Sequence, residues 1–265
     1  MKSVRVCILR TGGTNCDKET AFAFSSAAAE VKFIHVDRLV AGDSALSDFH
    51  ILAIPGGFSY GDDIAAGKIL ANELRYKLNG DLRKFISEGK LIIGICNGFQ
   101  ILVKSGLLPG NEDFRQEASL IINDSGKFED RWVYLKPYQH KGRLNKCIWT
   151  RGSPDKVYLP VAHGEGKFIV KNKELLAKLK ISGQVVFQYT DEDGKLAGYP
   201  YNPNGSEENI AGICDVTGRI FGLMPHPERH LHCLQHPRWL GRTGHKRGDG
   251  FAIFRNGVEY ARKNL

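Results

Sequence analysis

The sequence lacks several features that would by themselves assign it to a class of proteins. None of its 265 residues lie in a run approaching the ~18 consecutive apolar residues of a membrane-spanning helix. The opening MKSVRVCILR has too short an apolar run for a secretion signal, so we expect a cytoplasmic protein. The six cysteines include no C-x-x-C pair, which argues against a disulfide framework. Without an internal repeat or a linker rich in Pro, Gly or Ser, residues 1–265 are expected to form a single domain.

The charge balance is basic, with 37 Lys and Arg against 29 Asp and Glu and a net charge of +8. Two stretches carry much of the excess, at residues 131–156 and 229–247. Basic surfaces attract nucleic acids, phosphorylated metabolites or acidic proteins, but they also simply keep a protein in solution. Because no nucleic-acid motif accompanies either stretch, we predict no nucleic-acid partner.

In the first half of the chain, short apolar strands alternate with helical patterns. The pattern predicts strands at 4–9, 31–36, 49–54 and 91–95, and helices at 17–29, at 64–78 and after residue 96. This alternation is typical of βαβ units, hence of a parallel sheet with helices on both faces. Ligands of such sheets bind at the carboxyl ends of the strands.

The second half changes to hairpin-like segments. Strands are predicted near 119–123, 131–135, 157–161, 185–189, 210–215 and 220–224, with Thr217 and Gly218 turning the last pair, and helices near 174–179 and 251–261. The predicted fold class is therefore α/β, with a mixed, mainly parallel central sheet and an antiparallel extension.

Cys96 lies between a predicted strand and a predicted helix, in the pattern Gly94-Ile95-Cys96-Asn97-Gly98. This is the arrangement of a nucleophile elbow with Cys in place of Ser. Glycines flank the turn because a Cβ atom there would meet the neighbouring backbone. The turn exposes the sulfur at a helix N-terminus, which favours a thiolate. Alone, the same pattern is also compatible with a tight turn around an inert cysteine.

A cysteine nucleophile needs a base and a group that orients it. Of nine histidines, His226 stands where a predicted strand ends, and Glu228 two positions later shares its face. An oxyanion also needs fixed donors, for which the amides of Gly57 and Asn97 are candidates. The alternatives are a loop histidine beside an exposed Glu228, and a plain turn at Gly57.

A second alternative is a zinc site, because five potential ligands fall within eleven residues: His226, His230, His232, Cys233 and His236. Their spacing matches no known ligand frame. The sequence therefore favours a site without metal, although the zinc alternative stays open.

Several motifs resemble one family. GICNGFQ (94–100) with HPE (226–228) is similar to the class I glutamine amidotransferases. Within that class, GGTNCDKE (12–19), PGGFSYGDDIAAGK (55–68) and AHGEGKF (162–168) resemble the glutaminase subunits of phosphoribosylformylglycinamidine synthases. The resemblance runs from residue 4 to about 229 and implies a flavodoxin-like architecture.

The resemblance implies that Cys96 attacks the side-chain amide of glutamine, with His226 as acid and base and Glu228 orienting it. Gln100 and His163 are implied to help form the glutamine site, each with a structural role as the alternative. Ammonia is implied to pass to an ATP- and magnesium-dependent synthetase subunit, with a small accessory subunit as a further partner.

The chain itself is expected to bind no cofactor and no metal, since Gly61–Ile69 departs from a phosphate-binding loop in length and in the residue after Lys68. Relative to the family pattern, 229–248 is an atypical loop rich in His and Arg. An amidotransferase that serves another synthetase, and a non-catalytic metal-binding scaffold, are the competing interpretations.

Overall fold

The central feature of the fold is one large sheet. The computed structural model describes residues 3–111, 113–241 and 247–265. Thirteen strands lie within the described residues: β1 (Arg5–Arg10), β2 (Glu30–His35), β3 (Ile51–Ile54), β4 (Leu91–Ile95), β5 (Ala118–Ile121), β6 (Glu129–Pro137), β7 (Gln139–His140), β8 (Arg143–Leu144), β9 (Val157–His163), β10 (Lys167–Val170), β11 (Val185–Thr190), β12 (Ile210–Cys214) and β13 (Ile220–Leu223).

Helices connect most of the parallel strands. Seven α-helices occur in the described ranges: α1 (Asp17–Ser26), α2 (Val36–Val40), α3 (Lys68–Tyr76), α4 (Asn79–Ser87), α5 (Asn97–Lys104), α6 (Lys173–Ile181) and α7 (Phe251–Asn264). Short 3₁₀ turns lie at Leu46–Asp48, Ser59–Asp62, Ile148–Thr150, Glu207–Asn209, Pro227–Arg229, Cys233–Gln235 and Trp239–Gly241. None of these helices combines the length and the apolar composition that crossing a bilayer requires.

The sheet has nine strands in the order β2-β1-β3-β4-β13-β12-β11-β6-β9. From β2 to β13 all neighbours are parallel, and from β13 to β9 all are antiparallel. Two further antiparallel pairs, β5 with β10 and β7 with β8, stand apart. The predicted mixed sheet, mainly parallel with an antiparallel extension, is confirmed.

The middle of the sheet is covered on both faces. Every residue of β3, β4, β11, β12 and β13 is buried, which requires apolar cover on both sides of these strands. Helices α1 and α7 contact each other through Phe24 and Phe254, whose ring centroids are 5.1 Å apart. Helices α3 and α5 form a second contacting pair. The core therefore lies along the sheet on which the site is built.

The predicted helix at 64–78 was wrong at its start, because α3 begins at Lys68. Ile64 and Gly67 both have φ of 72°, which an α-helix does not accept. Ile64 is moreover 87% exposed, so its apolar character does not mark a buried helix face. Residues 79–87 form α4 and residues 167–170 form β10, neither of which the sequence pattern predicted.

The predicted turn at Thr217 and Gly218 does join β12 to β13, and Asp215 holds it together. The buried carboxylate of Asp215 accepts the N–H groups of Arg219 and Ile220 at 2.9 Å each through Oδ1. Its Oδ2 accepts the N–H of Thr217 at 3.1 Å and the hydroxyl of Thr217 at 2.6 Å. One side chain thus satisfies the backbone of the hairpin that leads into β13.

We expect Asp215→Ala to lower the free energy of unfolding by about 1–3 kcal/mol, since it leaves the buried N–H of Ile220 without this acceptor. Asp215→Asn keeps an oxygen that can accept from Arg219 and Ile220, so its free energy of unfolding should fall clearly less. Urea unfolding of the three proteins measures the difference. Equal stability of the alanine variant and the wild type would contradict this role of Asp215.

Candidate active site

Three neighbouring parallel strands end at one edge of the sheet, and the predicted catalytic residues meet there. β3 leads into Gly56 and Gly57, β4 into Cys96, and β13 towards His226. A Cβ atom built on Gly56 would lie 2.9 Å from Cε1 of His226 and 3.4 Å from Cβ of Cys96. The fold therefore brings Cys96 and His226 to the same point, although they are far apart in the sequence.

The turn at Cys96 is sharp, with φ of 51° and ψ of −107°. A residue other than glycine held in this region carries strain of about 1–3 kcal/mol. The Cys96 N–H donates to the carbonyl of Leu223 on β13 at 2.8 Å. A Cβ on Gly98 would lie 1.9 Å from the carbonyl oxygen of Ile54, and one on Gly94 would lie 2.5 Å from that of Gly98. The glycines on both sides of Cys96 are thus required by close backbone approach.

His226 and Glu228 form a buried pair beside Cys96. Nδ1 of His226 donates to Oε1 of Glu228 at 2.6 Å, and the His226 backbone N–H donates to the carbonyl of Pro160 at 2.8 Å. Burial lowers the pKa of His226, but the Glu228 carboxylate and the nearby Cys96 and Cys16 outweigh burial and hold that pKa well above 6.5. The imidazole is therefore oriented by Glu228 and biased towards carrying a proton.

Gly57 and Asn97 present backbone amides at the same edge of the sheet. Gly57 has φ of 146°, and a Cβ there would lie 2.6 Å from the carbonyl oxygen of Gly13 and 2.7 Å from the amide nitrogen of Asn15. Asn97 is the first residue of α5, where backbone N–H groups lack helical partners. In the part of the chain that the structure describes, neither amide donates to another protein group. Both are available to a ligand's oxygen.

The side chains of Asn97 and Gln100 tie two loops to α5. Oδ1 of Asn97 accepts the N–H of Ser59 at 3.2 Å, and Nδ2 of Asn97 donates to Asp62 at 3.1 Å and to Oε1 of Gln100 at 2.9 Å. Nε2 of Gln100 donates to the carbonyl of Glu165 at 2.5 Å. Both ends of the Gln100 amide are therefore occupied within the chain, and its contact with a substrate stays a prediction.

His163 is buried in a polar network at the end of β9. Its Nδ1 donates to Oδ1 of Asn123 at 3.2 Å, and its Nε2 accepts from Nδ2 of Asn204 at 3.4 Å. Burial, aided by the charge of His226, lowers the pKa of His163 to about 3. The ring is therefore neutral, and a role in binding substrate stays a prediction.

Sequence analysis did not identify Cys16 as part of the site. Cys16 is buried, but its thiol lies in the site, where it donates to Oδ1 of Asn15 and accepts from Nη2 of Arg229, both at 3.1 Å. Burial raises the pKa of this thiol, and His226 and Arg229 oppose that rise. The signal was its position after the glycine turn that follows β1, a strand adjacent to β3.

The histidine-rich loop forms an aromatic cluster. The rings of His230 and His236 lie 5.1 Å and 5.7 Å from that of Trp132, and Nδ1 of His230 donates to the carbonyl of Tyr158 at 2.8 Å. Among residues 3–111, 113–241 and 247–265, the five proposed zinc ligands do not converge as one group. The zinc site at these five residues therefore gains no support. Residues 242–246 of the predicted atypical loop lie outside the described ranges.

The low pKa of His163 makes stability depend on pH. The unfolded ring titrates near 6.5 and the folded ring near 3, so the unfolded state binds the extra proton between these values. The stability contributed by neutral His163 is complete above pH 6.5 and is lost as the pH falls towards 3.

From pH 7 to pH 5 we expect this residue alone to lower the free energy of unfolding by about 2 kcal/mol. The measurement is urea unfolding at both pH values for the wild type and for His163→Gln, in which this contribution should vanish. An unchanged pH dependence in the variant would disprove the assignment.

Comparison with known proteins places this geometry in a family. A family model described as a CobB/CobQ-like glutamine amidotransferase domain matches residues 3–261. The phosphoribosylformylglycinamidine synthase subunit PurQ of Dehalococcoides mccartyi is 50% identical over 264 residues, with 99% of this chain and 100% of that protein covered. The subunit of the same name from Methanococcus maripaludis is 42% identical over 273 residues, with 98% of each covered.

Two solved structures are also similar to this chain. A chain of the PurLQS structure from Thermotoga maritima is 31% identical, with a TM-score of 0.74 and coverage of 98% of this chain and 99% of that chain. A glutamine amidotransferase from Thermotoga maritima is 17% identical with a TM-score of 0.51, covering 91% of this chain and 82% of that chain, and shares the fold. The chain therefore belongs to the glutamine amidotransferase family, among the PurQ subunits of phosphoribosylformylglycinamidine synthases.

Proposed function

We propose that this chain is the glutaminase subunit of a phosphoribosylformylglycinamidine synthase. It hydrolyses glutamine to glutamate and ammonia, and a synthetase subunit uses the ammonia to convert formylglycinamide ribonucleotide to formylglycinamidine ribonucleotide in purine biosynthesis. The observation that carries the proposal is the meeting of the Cys96 elbow with the His226–Glu228 pair at Gly56, in a chain 50% identical to a PurQ subunit.

In the first half of the reaction, Sγ of Cys96 attacks the side-chain amide carbon of glutamine while His226 holds the proton of the thiol. The carbonyl oxygen becomes an oxyanion, which the amides of Gly57 and Asn97 stabilise. His226 then gives its proton to the leaving nitrogen. The C–N bond breaks, ammonia leaves, and a glutamyl thioester remains on Cys96.

In the second half, water attacks the thioester while His226 accepts a proton from it. The C–S bond breaks, glutamate leaves and the thiol of Cys96 is restored. The hydrogen bond from His226 to Glu228 keeps the ring in one orientation through both halves, which supports an orienting role for Glu228.

Cys96→Ala should lower glutamine hydrolysis by more than about a thousandfold, since it removes the nucleophile. In the reconstituted complex, synthesis from added ammonia should persist, because the synthetase reaction does not use Cys96. Cys233→Ala is the control and should retain glutaminase activity. Wild-type rates of glutamine hydrolysis in the Cys96 variant would refute the proposed mechanism.

ATP and magnesium would act in the synthetase subunit, and a small accessory subunit would complete the assembly. The PurLQS structure contains a chain of the same fold, which supports such a complex. We also propose a cytoplasmic location for the complex, and the six free thiols of the chain are consistent with a reducing compartment. An amidotransferase that serves a different synthetase is less well supported, because the curated relatives compared above both carry the PurQ name.

The synthetase subunit should contact the rim of the site, because ammonia has to pass between the subunits without loss to solvent. The segment between β3 and α3, which contains Gly57, carries two exposed apolar side chains, Phe58 and Ile64, and Phe128 is exposed next to Phe58. The rings of Phe58 and Phe128 are 6.5 Å apart, and Phe128 lies against Gly164 of the loop after β9. We assign this rim to the subunit contact.

Ile64→Lys should weaken binding of the synthetase subunit by about tenfold or more, as loss of an apolar anchor does. Ile181→Lys is the matched control, because Ile181 is 70% exposed at the end of α6, where it lies beside the β7–β8 pair. Calorimetric titration with the synthetase subunit measures the affinity of each variant. The stimulation of glutaminase activity by that subunit is a second measurement for each variant. Equal affinities of the two variants, or equal glutaminase rates with and without the synthetase subunit, would contradict the assignment.

A further inference from the structure

Cys16 has no role in the proposed hydrolysis, yet it lies within the site. Ligand atoms of Cys16, His226 and Glu228 all come within 4.8 Å of one another. Among the described residues, this is the group of three potential metal ligands that the fold assembles. All three side chains are buried.

Two of these side chains carry buried polar atoms that lack a full set of partners. Among the described residues, Oε2 of Glu228 makes no hydrogen bond, and Nε2 of His226 has no partner apart from the nearby thiols of Cys96 and Cys16. A buried polar atom left unsatisfied destabilises a protein by about 1–3 kcal/mol, so such atoms point to a group that is bound there at some stage. Glutamine is one candidate, but a cation that accepts their lone pairs is another.

The chemistry of the donors selects the kind of cation. A thiolate and an imidazole are ligands for borderline and soft metals, and together with a carboxylate they make up a set typical of Zn²⁺. Mg²⁺ and Ca²⁺ prefer oxygen donors throughout and are disfavoured by Cys16.

Cys16 is oriented for such a role by its neighbours. The guanidinium of Arg229 donates to its sulfur at 3.1 Å and also pairs with Glu19 at 3.3 Å. This cationic donor counteracts part of the effect of burial, which raises the pKa of the Cys16 thiol. The pairing with Glu19 balances part of the charge with which Arg229 would otherwise repel a cation.

We propose that Cys16, His226 and Glu228 form a reversible inhibitory site for Zn²⁺ or a similar soft divalent cation. On binding, the thiol of Cys16 releases its proton to solvent and a sulfur–metal bond forms. A ring nitrogen of His226 releases its proton to solvent and donates its lone pair to the cation, so the imidazole can no longer exchange protons with substrate. The cation is thus an inhibitor and not a resident cofactor.

Metal binding can be tested without any activity assay. Co²⁺, which replaces Zn²⁺ in such sites, should produce thiolate-to-cobalt charge-transfer absorption when titrated into the full-length chain. Cys16→Ser should weaken the binding of Co²⁺ by at least about tenfold. Substitution of residues that support a metal site typically lowers metal affinity by this factor. Cys16→Ala serves as a second variant, and thermal unfolding establishes that each variant is folded.

The control variant is Cys233→Ser. Cys233 is partly exposed and its sulfur lies 3.7 Å from Nδ1 of His232, so it could offer a separate, weaker site. Removing it should leave the charge-transfer absorption of the full-length chain unchanged. Loss of the absorption in this variant would show that Cys233 binds the metal, and it would overturn the proposal.

The inhibitory effect rests on the proposed glutaminase function, and its assay is separate. Zn²⁺ should inhibit glutamine hydrolysis by the reconstituted complex, a chelator should restore it, and Cys16→Ser should need at least about tenfold more Zn²⁺ for the same inhibition. Equal sensitivity of Cys16→Ser and wild type, or absence of Co²⁺ binding, would overturn the metal site. Co²⁺ binding that requires Cys16 in a chain with no glutaminase activity would instead retain the metal site and refute the proposed function.

Discussion

The active edge of this protein depends on one close contact between backbones, that of Gly98 on the first turn of α5 with the carbonyl of Ile54 at the end of β3. No Cβ atom fits between them, since it would lie 1.9 Å from the oxygen. The contact holds the start of α5, and with it the thiol of Cys96, against the strand that continues into Gly57. The proposed nucleophile, Cys96, and a proposed oxyanion donor, Gly57, therefore follow two strands whose relative position is set by a backbone contact.

Behind this contact, a network of buried polar groups joins the loops around the site to α5. The ammonium group of Lys104, at the end of α5, donates to the carbonyl of Ala66 at 2.6 Å and lies 3.5 Å from the carboxylate of Glu165. Burial lowers the pKa of Lys104, and Glu165 counteracts it. At the other end of α5, the side chain of Asn97 binds the loop that contains Asp62. A displacement of either loop would therefore break bonds to α5, and the proposed contact of the synthetase subunit at the rim could act on Asn97 through these bonds.

The sequence predicted those parts of the site that depend on short-range rules. Glycines around Cys96 mark a sharp turn between strand and helix, and a strand that ends at His226 places that residue at the edge where parallel strands bind ligands. The position of Cys16 could not be read in the same way, because it depends on β1 lying beside β3 and on Arg229 reaching it from the opposite end of the chain. The start of α3 was missed for a local reason, since positive φ at Ile64 has no signature in a residue that is not glycine.

The two buried histidines at the site show why residue type and burial do not decide function on their own. His163 and His226 are almost equally inaccessible, and burial acts on both rings in the same direction. His163 faces two amide side chains, which satisfy its neutral form, and its pKa falls to about 3. His226 faces the carboxylate of Glu228, and its pKa rises well above 6.5. Glu228 and the nearby cysteines thus separate a ring that holds a proton from a neutral ring that two amide side chains satisfy.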